Sequence, residues 1–399
     1  MHIGIDFTAA VRQRAGIGRY TRNLVRALAE IDLTNHYRLF AADPGNKSKE
    51  EVWPANFQVR RVPLSDRWLQ ILWQRLRIPL PIQLLVGKLD LFHSPDFVLP
   101  PVGSAPALVT VHDLSFLRVP ECFVPGFAAY LESAVSRAVR RAGHVLADSS
   151  STRSDLVELM GVDEARITVL HPGVEPRFRP VGDADELARV RTTYRLPAQF
   201  VLGLGTLQPR KNFGVLIGAF AQAVLSSPAE CRDLHLVIVG ERGWMYDDVL
   251  SKASTTGVRE RVHLVGFVAD EHLPALYSLA SVFAFPSLYE GFGLPILEAM
   301  ACGVPVVAAD NSSLPEVAGE AAVLFDAHDE AALAQALVLL QSDLGLRKRL
   351  VQEGLERAGN FSWSRAADQL LELYVAIGRN SVRKLPSHNQ HNMETGTVG

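Results

Sequence analysis

Two hydrophobic patterns alternate along this chain. In the first half, the short apolar runs HIGIDF, YRLFAAD, DLFHSPD, ALVTVHD and HVLADS each end on polar residues. A buried parallel strand reads this way where it reaches a binding edge. Amphipathic stretches lie between them. In residues 19–31, Leu24, Val25, Leu28 and Ile31 make one apolar face, with Arg22 and Arg26 off it. SSSTRSDLVELMG opens on capping residues and stops at Gly161, as a helix does. Residues 171–182 hold three prolines and little periodicity, and read as an inter-domain linker. The pattern then restarts with FVLGLGTL, LHLVIVG, VHLVGFV, SVFAFPS, PVVAAD and AAVLF as strands separated by helical segments. Alternation twice over predicts an α/β protein of two Rossmann-like, doubly wound domains, residues 1–175 and 183–360, whose C-terminal strand edges face a shared cleft. The polar, aperiodic residues 379–399 read as a disordered tail.

Composition narrows the class. Of 399 residues, 48% are hydrophobic and 21% charged, a globular balance long enough for two full cores. The net charge of −3 supplies no basic field for nucleic acid. Cys122, Cys231 and Cys302 are scattered, without metal-ligand or disulfide spacing, which points to a reducing compartment. MHIGIDFTAA reads as a first strand rather than a signal peptide, and no apolar run is long enough to span a bilayer.

The densest chemistry lies in SLYEGFGLPILEAMACGVPVV, residues 287–307. Pro295 suits the first position of a helix, and Gly303 with Pro305 stops it. Glu290 then sits in the entering loop and Glu298 near the end of the first turn. They flank a helix N-terminus whose free N–H groups attract anions, beside glycines that let a ligand touch the backbone. Carboxylates cannot hold phosphate, but they accept hydrogen bonds from hydroxyls. A nucleotide sugar carries both groups. The plainer alternative is a glutamate that only complements the helix dipole, with Glu290 exposed.

This stretch resembles the E-x7-E motif of the family-4 retaining glycosyltransferases, written here EGFGLPILE. IGIDFTAAVRQRAGIGRYTRNLVRAL, VHDLSF, HPGV, GTLQPRKN, LVGFV and LPEVAG follow the family's order, so the resemblance covers about residues 1–378. It implies the GT-B fold, with the donor in the C-terminal domain and the acceptor on the N-terminal side. The last helix, within residues 361–378, would cross back to the N-terminal domain. Glu298 would hold the ribose hydroxyls. Glu290 with Gly291, Phe292, Gly293 and Leu294 would hold the sugar and diphosphate. Arg210 and Lys211 would grip the diphosphate and stabilise the leaving group, which needs no metal and no further cofactor. No Asp-x-Asp segment lies in a strand-end loop. Many family members carry Glu where this chain has Gln208.

Other motifs take their meaning from the same resemblance. Gly16 and Gly18 could open a dinucleotide fingerprint, but the strand is too distant and a third glycine is missing. In the family this loop closes over the donor diphosphate, with Arg19 placed to help. His112 would contact the transferred sugar, and Asp113 would orient it or border the acceptor; a local His–Asp hydrogen bond is the alternative. Gly266 and Phe267 would line the base pocket, or simply end a strand. In residues 67–88, Trp68, Leu69, Leu72, Trp73 and Leu76 have helical spacing, with Arg67, Arg75 and Arg77 nearby. Such a helix packs on the core or lies on lipid. In the lipid case a cytoplasmic enzyme would touch the inner face of the cell membrane and take a lipid-linked glycan acceptor. Members that open like this chain resemble bacterial surface-polysaccharide mannosyltransferases using GDP-mannose. The expected activity is retaining hexose transfer to a glycan. The alternatives are a UDP-sugar glucosyl- or N-acetylglucosaminyltransferase, or a non-catalytic partner subunit.

Overall fold

The computed structural model describes residues 1–13, 16–43, 52–65, 68–69, 71–76, 78–227 and 229–383. Among the described residues thirteen strands form two sheets, every pairing parallel. The first holds β1 (His2–Asp6), β2 (His36–Ala42), β3 (Phe57–Val62), β4 (Leu91–Ser94), β5 (Ala107–Val111), β6 (His144–Ala147) and β7 (Ile167–Val169) in the order β3-β2-β1-β4-β5-β6-β7. The second holds β8 (Gln199–Leu204), β9 (Leu234–Val239), β10 (Val262–Gly266), β11 (Val282–Phe285), β12 (Val306–Ala309) and β13 (Ala322–Phe325) in the order β10-β9-β8-β11-β12-β13. Each winds outward one way, returns to its first strand and winds out the other way. The order therefore reverses between β1 and β4, and again between β8 and β11. In open parallel sheets, ligands sit outside the carboxyl ends of the strands at such a reversal.

Local rules place the helices as expected. Helix Ile17–Ile31 buries Leu24, Val25 and Leu28 against the first sheet. Helix Ser150–Met160 is capped by the Ser149 hydroxyl, which accepts from the Thr152 amide, and ends at Gly161 with φ 63°. Leu294–Ala301 starts one residue before Pro295, with Gly293 at φ 117° as its cap, and closes at Gly303 with φ 73°. One apolar cluster fills the second sheet's layers, and two cover the faces of the first. Helix Trp363–Arg383 puts Trp363, Ala366, Leu370 and Tyr374 into the first sheet's core beside Leu24 and Leu28. It runs through Arg383, past the expected order boundary at residue 378. The rest of the expected tail, residues 384–399, lies outside the described residues.

The stretch from 67 to 88 is not one amphipathic helix. It contains a π-helical turn, Ile71–Arg75, and a separate short helix, Gln83–Val86. Leu69 and Trp73 are buried in the core, whereas Trp68, Leu76, Ile78 and Leu84 are exposed. Arg67 and Arg77 lie outside the described residues. Among the described residues no helix is long and apolar enough to cross a membrane.

Candidate functional site

The reversal between β8 and β11 gathers the charged residues of the second domain. After β8 the chain makes a 3₁₀ turn, Pro209–Lys211, which puts two cations where β11 delivers Glu290. Glu290 Oε2 accepts from Arg210 Nη1 at 2.8 Å, and Oε1 from Lys211 Nζ at 2.5 Å. Arg210 also donates to the Tyr289 carbonyl at 2.7 Å, and Lys211 lies 4.9 Å from the centre of the Phe285 ring. The loop is pinned from beneath: the Ser313 hydroxyl serves the carbonyls of Glu290 and Phe292, and Ser312 Oγ takes the Glu290 amide hydrogen. Burial works against the Glu290 charge, but Arg210 and then Lys211 overcome it and hold the carboxyl at about 2. Glu290 is therefore a fixed carboxylate and no proton donor near neutral pH. Arg210 and Lys211 outnumber the one carboxylate hydrogen-bonded to them, although burial lowers the Lys211 ammonium, and they stand just before helix Leu294–Ala301 in a loop suited to a polyanion.

The first domain meets this loop directly. A Cβ on Gly291 would stand 1.9 Å from the His112 carbonyl oxygen and 2.8 Å from Asp113 Cβ, so only glycine allows this approach. Thr152 Oγ1 lies 3.2 Å from that carbonyl and 3.3 Å from the Gly291 carbonyl. Asp113 accepts from the Ser115 amide and hydroxyl through Oδ1, and its charge acts on Arg210 and Lys211. The fold thus brings His112, Asp113, Arg210, Lys211, Glu290 and Gly291 together from both halves of the chain.

The His112 ring has protein partners on both nitrogens: Asp148 Oδ2 at 2.7 Å from Nδ1 and the Pro95 carbonyl at 2.9 Å from Nε2. Burial lowers the basicity of the imidazole, but Asp148 beside it reverses the effect and raises it to about 9. The resemblance implies that His112 contacts the transferred sugar; Asp148 and the Pro95 carbonyl hold its ring nitrogens, and its main-chain oxygen faces Gly291. A histidine raised on folding stabilises the protein fully below its unfolded value near 6.5, and that contribution is lost as pH rises through about 9. Denaturant midpoints measured from pH 6.5 to 9.5 should fall with rising pH, and Asp148→Asn should flatten the slope. An unchanged slope in that variant would remove the pair from this role.

A second cluster spans the domains at Glu298. Its Oε1 accepts from Arg19 Nη2 at 2.6 Å and its Oε2 from the Tyr277 hydroxyl at 3.0 Å. Arg19 Nε also donates to Glu175, which takes Arg177 Nη2 at 2.9 Å. The guanidinium groups of Arg19 and Arg177 both lie against the Phe178 ring, 5.0 and 4.9 Å from its centre. Glu175, Arg177 and Phe178 sit in the stretch read as a bare linker, and Tyr277 was not singled out. The run of charged and aromatic residues within VEPRF was the available signal.

The remaining candidates lie apart. Gly16, with φ 58°, caps helix Ile17–Ile31, and a Cβ on Gly18 would meet the Gln13 carbonyl at 2.3 Å, so Gly18 serves helix packing. Gly266, with φ 80°, ends β10 and accepts from the Gly240 amide. Phe267 is 48% exposed, and no hydrogen bond joins it to the other candidates among the described residues. No group of three or more His, Cys, Asp or Glu among the described residues could hold a metal ion.

Known proteins share this architecture and sequence. Residues 14–178 match the family described as Glycosyltransferase Family 4, and residues 198–343 match Glycosyl transferases group 1. O-antigen chain mannosyltransferase B of Escherichia coli is 34% identical over 376 residues, 91% of this chain and 96% of that protein. D-inositol 3-phosphate glycosyltransferase of Salinispora arenicola is 34% identical over 309 residues, 72% of this chain and 69% of that protein. Among solved structures, sucrose-phosphate synthase from Thermosynechococcus elongatus superposes with a TM-score of 0.74 at 23% identity, over 95% of this chain and 100% of that one. HepE of Anabaena, in complex with UDP and glucose, gives 0.71 at 19% identity, over 94% and 99%.

Proposed function

From the premise that this chain belongs to the group 1, family-4 glycosyltransferases of GT-B fold, we propose that it moves mannose from GDP-mannose to a glycan or lipid-linked glycan, with retention and without a metal ion. The observation that carries the reading is the Arg210–Lys211–Glu290 group, with Glu290 buried and the two cations half-buried, at the strand-order reversal of the second domain. Its excess positive charge suits a diphosphate whose charge grows as the glycosidic bond breaks. Glu290, fixed as a carboxylate, accepts hydrogen bonds from sugar hydroxyls while tying the cations in place. The amides of Gly291, Phe292, Gly293 and Leu294 approach the phosphates. Glu298 takes the ribose hydroxyls, in place of or alongside Arg19, and Gly266 with Phe267 borders the base. Asp113 orients the sugar, and His112 acts as a positioning residue through its charge and its contact with Gly291. Attack comes from the face of the leaving phosphate, which takes the acceptor's proton, so no enzymic base or carboxylate nucleophile is needed.

The mannose assignment draws on likeness to the Escherichia coli mannosyltransferase along nearly the whole chain. Exposed Trp68, Leu76, Ile78 and Leu84 on the first domain support a cytoplasmic enzyme resting on the inner membrane face. The UDP-sugar reading is the rival. It is decided by melting the protein with GDP, UDP and ADP in the presence of EDTA, with Glu298→Ala alongside. A ligand at 100 times its Kd adds about 2.7 kcal/mol to stability. GDP should raise the melting temperature without metal, and Glu298→Ala should weaken GDP by roughly 10- to 150-fold, the worth of one charged hydrogen bond. A shift by UDP alone overturns the donor assignment, and no loss in the variant overturns the ribose role.

A further inference from the structure

Tyr20 carries a buried hydroxyl that ring packing does not account for. It stands in the first turn of helix Ile17–Ile31, one residue past Arg19, whose guanidinium holds Glu298 of the second domain. Its ring meets the His112 imidazole edge-on, 4.8 Å between centres, and the Trp363 ring of the last helix at 5.5 Å. The hydroxyl oxygen is buried and has no hydrogen-bond partner among the described residues, and the same holds for Asp148 Oδ1. The other Asp148 oxygen, Oδ2, is the one paired with His112 Nδ1 at 2.7 Å. The two unpaired groups act on one another. Burial, and then the Asp148 charge, push the Tyr20 phenol well above its usual range, so it keeps its proton and is a donor. Thr110, which works the other way on the phenol, is engaged through Oγ1 with His93 Nε2 at 3.0 Å. A buried donor and a buried carboxylate oxygen within each other's field are costly to leave apart, and native structures pair such groups.

Resting on the glycosyltransferase reading, we infer that Tyr20 is a positioning residue for the transfer site: its hydroxyl donates to Asp148 Oδ1 and so fixes the carboxylate that holds His112 against Gly291. A carboxylate held through one oxygen can turn about its Cβ–Cγ bond. A donor on each oxygen stops it, and the imidazole it carries keeps its plane. The anchored ring and the carbonyl that meets Gly291 belong to one residue, so the hold on the ring reaches the contact between the domains. Asp148 and Asp96 are the anions that act on His112, and Tyr20 serves the stronger of the two. Adjacent residues of one helical turn thereby do two jobs. Arg19 reaches Glu298, on the proposed nucleotide side, while Tyr20 steadies the His112–Asp148 pair.

Tyr20→Phe removes the oxygen and keeps the ring, so the packing against His112 and Trp363 survives. Removing a hydroxyl that had no partner would raise the melting temperature, because an unpaired polar atom leaves the core. A hydroxyl that serves Asp148 should instead cost about 2 °C or more. The His112 titration, followed in ring-¹³C-histidine protein and assigned by its loss in His112→Gln, should move as well. A carboxylate that loses a donor holds its imidazolium more tightly, so the midpoint should rise by about half a pH unit. Release of GDP from GDP-mannose should slow about tenfold at saturating donor with KM within about twofold, since the donor contacts are untouched. Tyr20→Phe added to Asp148→Asn should slow release no further, because Tyr20 acts through Asp148. The melting and titration arms use no substrate. A wild type that releases no GDP fails the donor reading and leaves those two arms to decide. A raised or unchanged melting temperature, an unmoved His112 midpoint, turnover within twofold of an active wild type, or losses that add in full in the double variant would each overturn the role of Tyr20.

Discussion

Gly291→Ala should lower transfer by two orders of magnitude or more while both domains stay folded. The added methyl would sit 1.9 Å from the His112 carbonyl oxygen, a main-chain atom that cannot swing aside. Gly291 is not among the residues at positive φ, so the obstacle is space between domains and not local strain. Each domain keeps its own apolar core, and the relief must come from opening the interface. An opening of about 1 Å between donor and acceptor groups is enough to cost roughly 100-fold in rate. Nucleotide binding, which the proposed function assigns to the second domain, should change little. Steady-state kinetics, the nucleotide melting shift and a radius of gyration from solution scattering together read the effect. Turnover within fivefold of wild type would mean that the Gly291–His112 approach is not the reacting arrangement.

Arg210→Ala should reduce kcat by about 10²- to 10³-fold, the usual cost of removing one preorganised donor from developing charge. Arg210 stands within 2.8 Å of Glu290 and also fixes the Tyr289 carbonyl, so its loss takes away both a positive charge and the shape of the loop. The variant should also be less stable at neutral pH and less sensitive to acid. Glu290 is held near 2 in the folded protein against about 4.5 ordinarily, so its contribution to stability is present above 4.5 and lost as pH falls through 2. Without Arg210, which does most to hold it down, the folded value moves back toward 4.5, so the loss between 4.5 and 2 should shrink and denaturant midpoints there should depend less on pH. Rates measured with saturating donor separate the two possible roles. A raised KM with kcat unchanged would mean that Arg210 binds the ground state and does no work on the leaving group.

The two predictions draw on different kinds of information. Arg210, Lys211, Glu290 and Glu298 were legible because they stand in contiguous motifs, beside a strand end or a helix start that short-range rules already locate. Most strands were legible for a similar reason: a strand buried on both faces must be apolar throughout. β3, FQVRRV, escaped because it is an edge strand whose exposed positions carry Gln58 and Arg60, and β7 because only Ile167–Val169 pair. The linker reading of residues 171–182 missed Glu175 and Phe178, whose shared partner Arg19 lies far earlier in the chain and itself holds Glu298, far later, and Arg177, which pairs with Glu175.

By itself, then, the sequence determined the periodic elements, the two-domain α/β class and the loop-and-helix setting of Glu290 and Glu298, because burial period and helix capping act over a few residues. Only the tertiary structure decided that Gly291 meets His112, that Arg19 holds Glu298, that the His112 ring is spent on Asp148 and Pro95, and that the Tyr20 ring stands against it. These contacts join groups brought together by strand order and domain closure, and a hydrophobic pattern says which face is buried without saying what it is buried against.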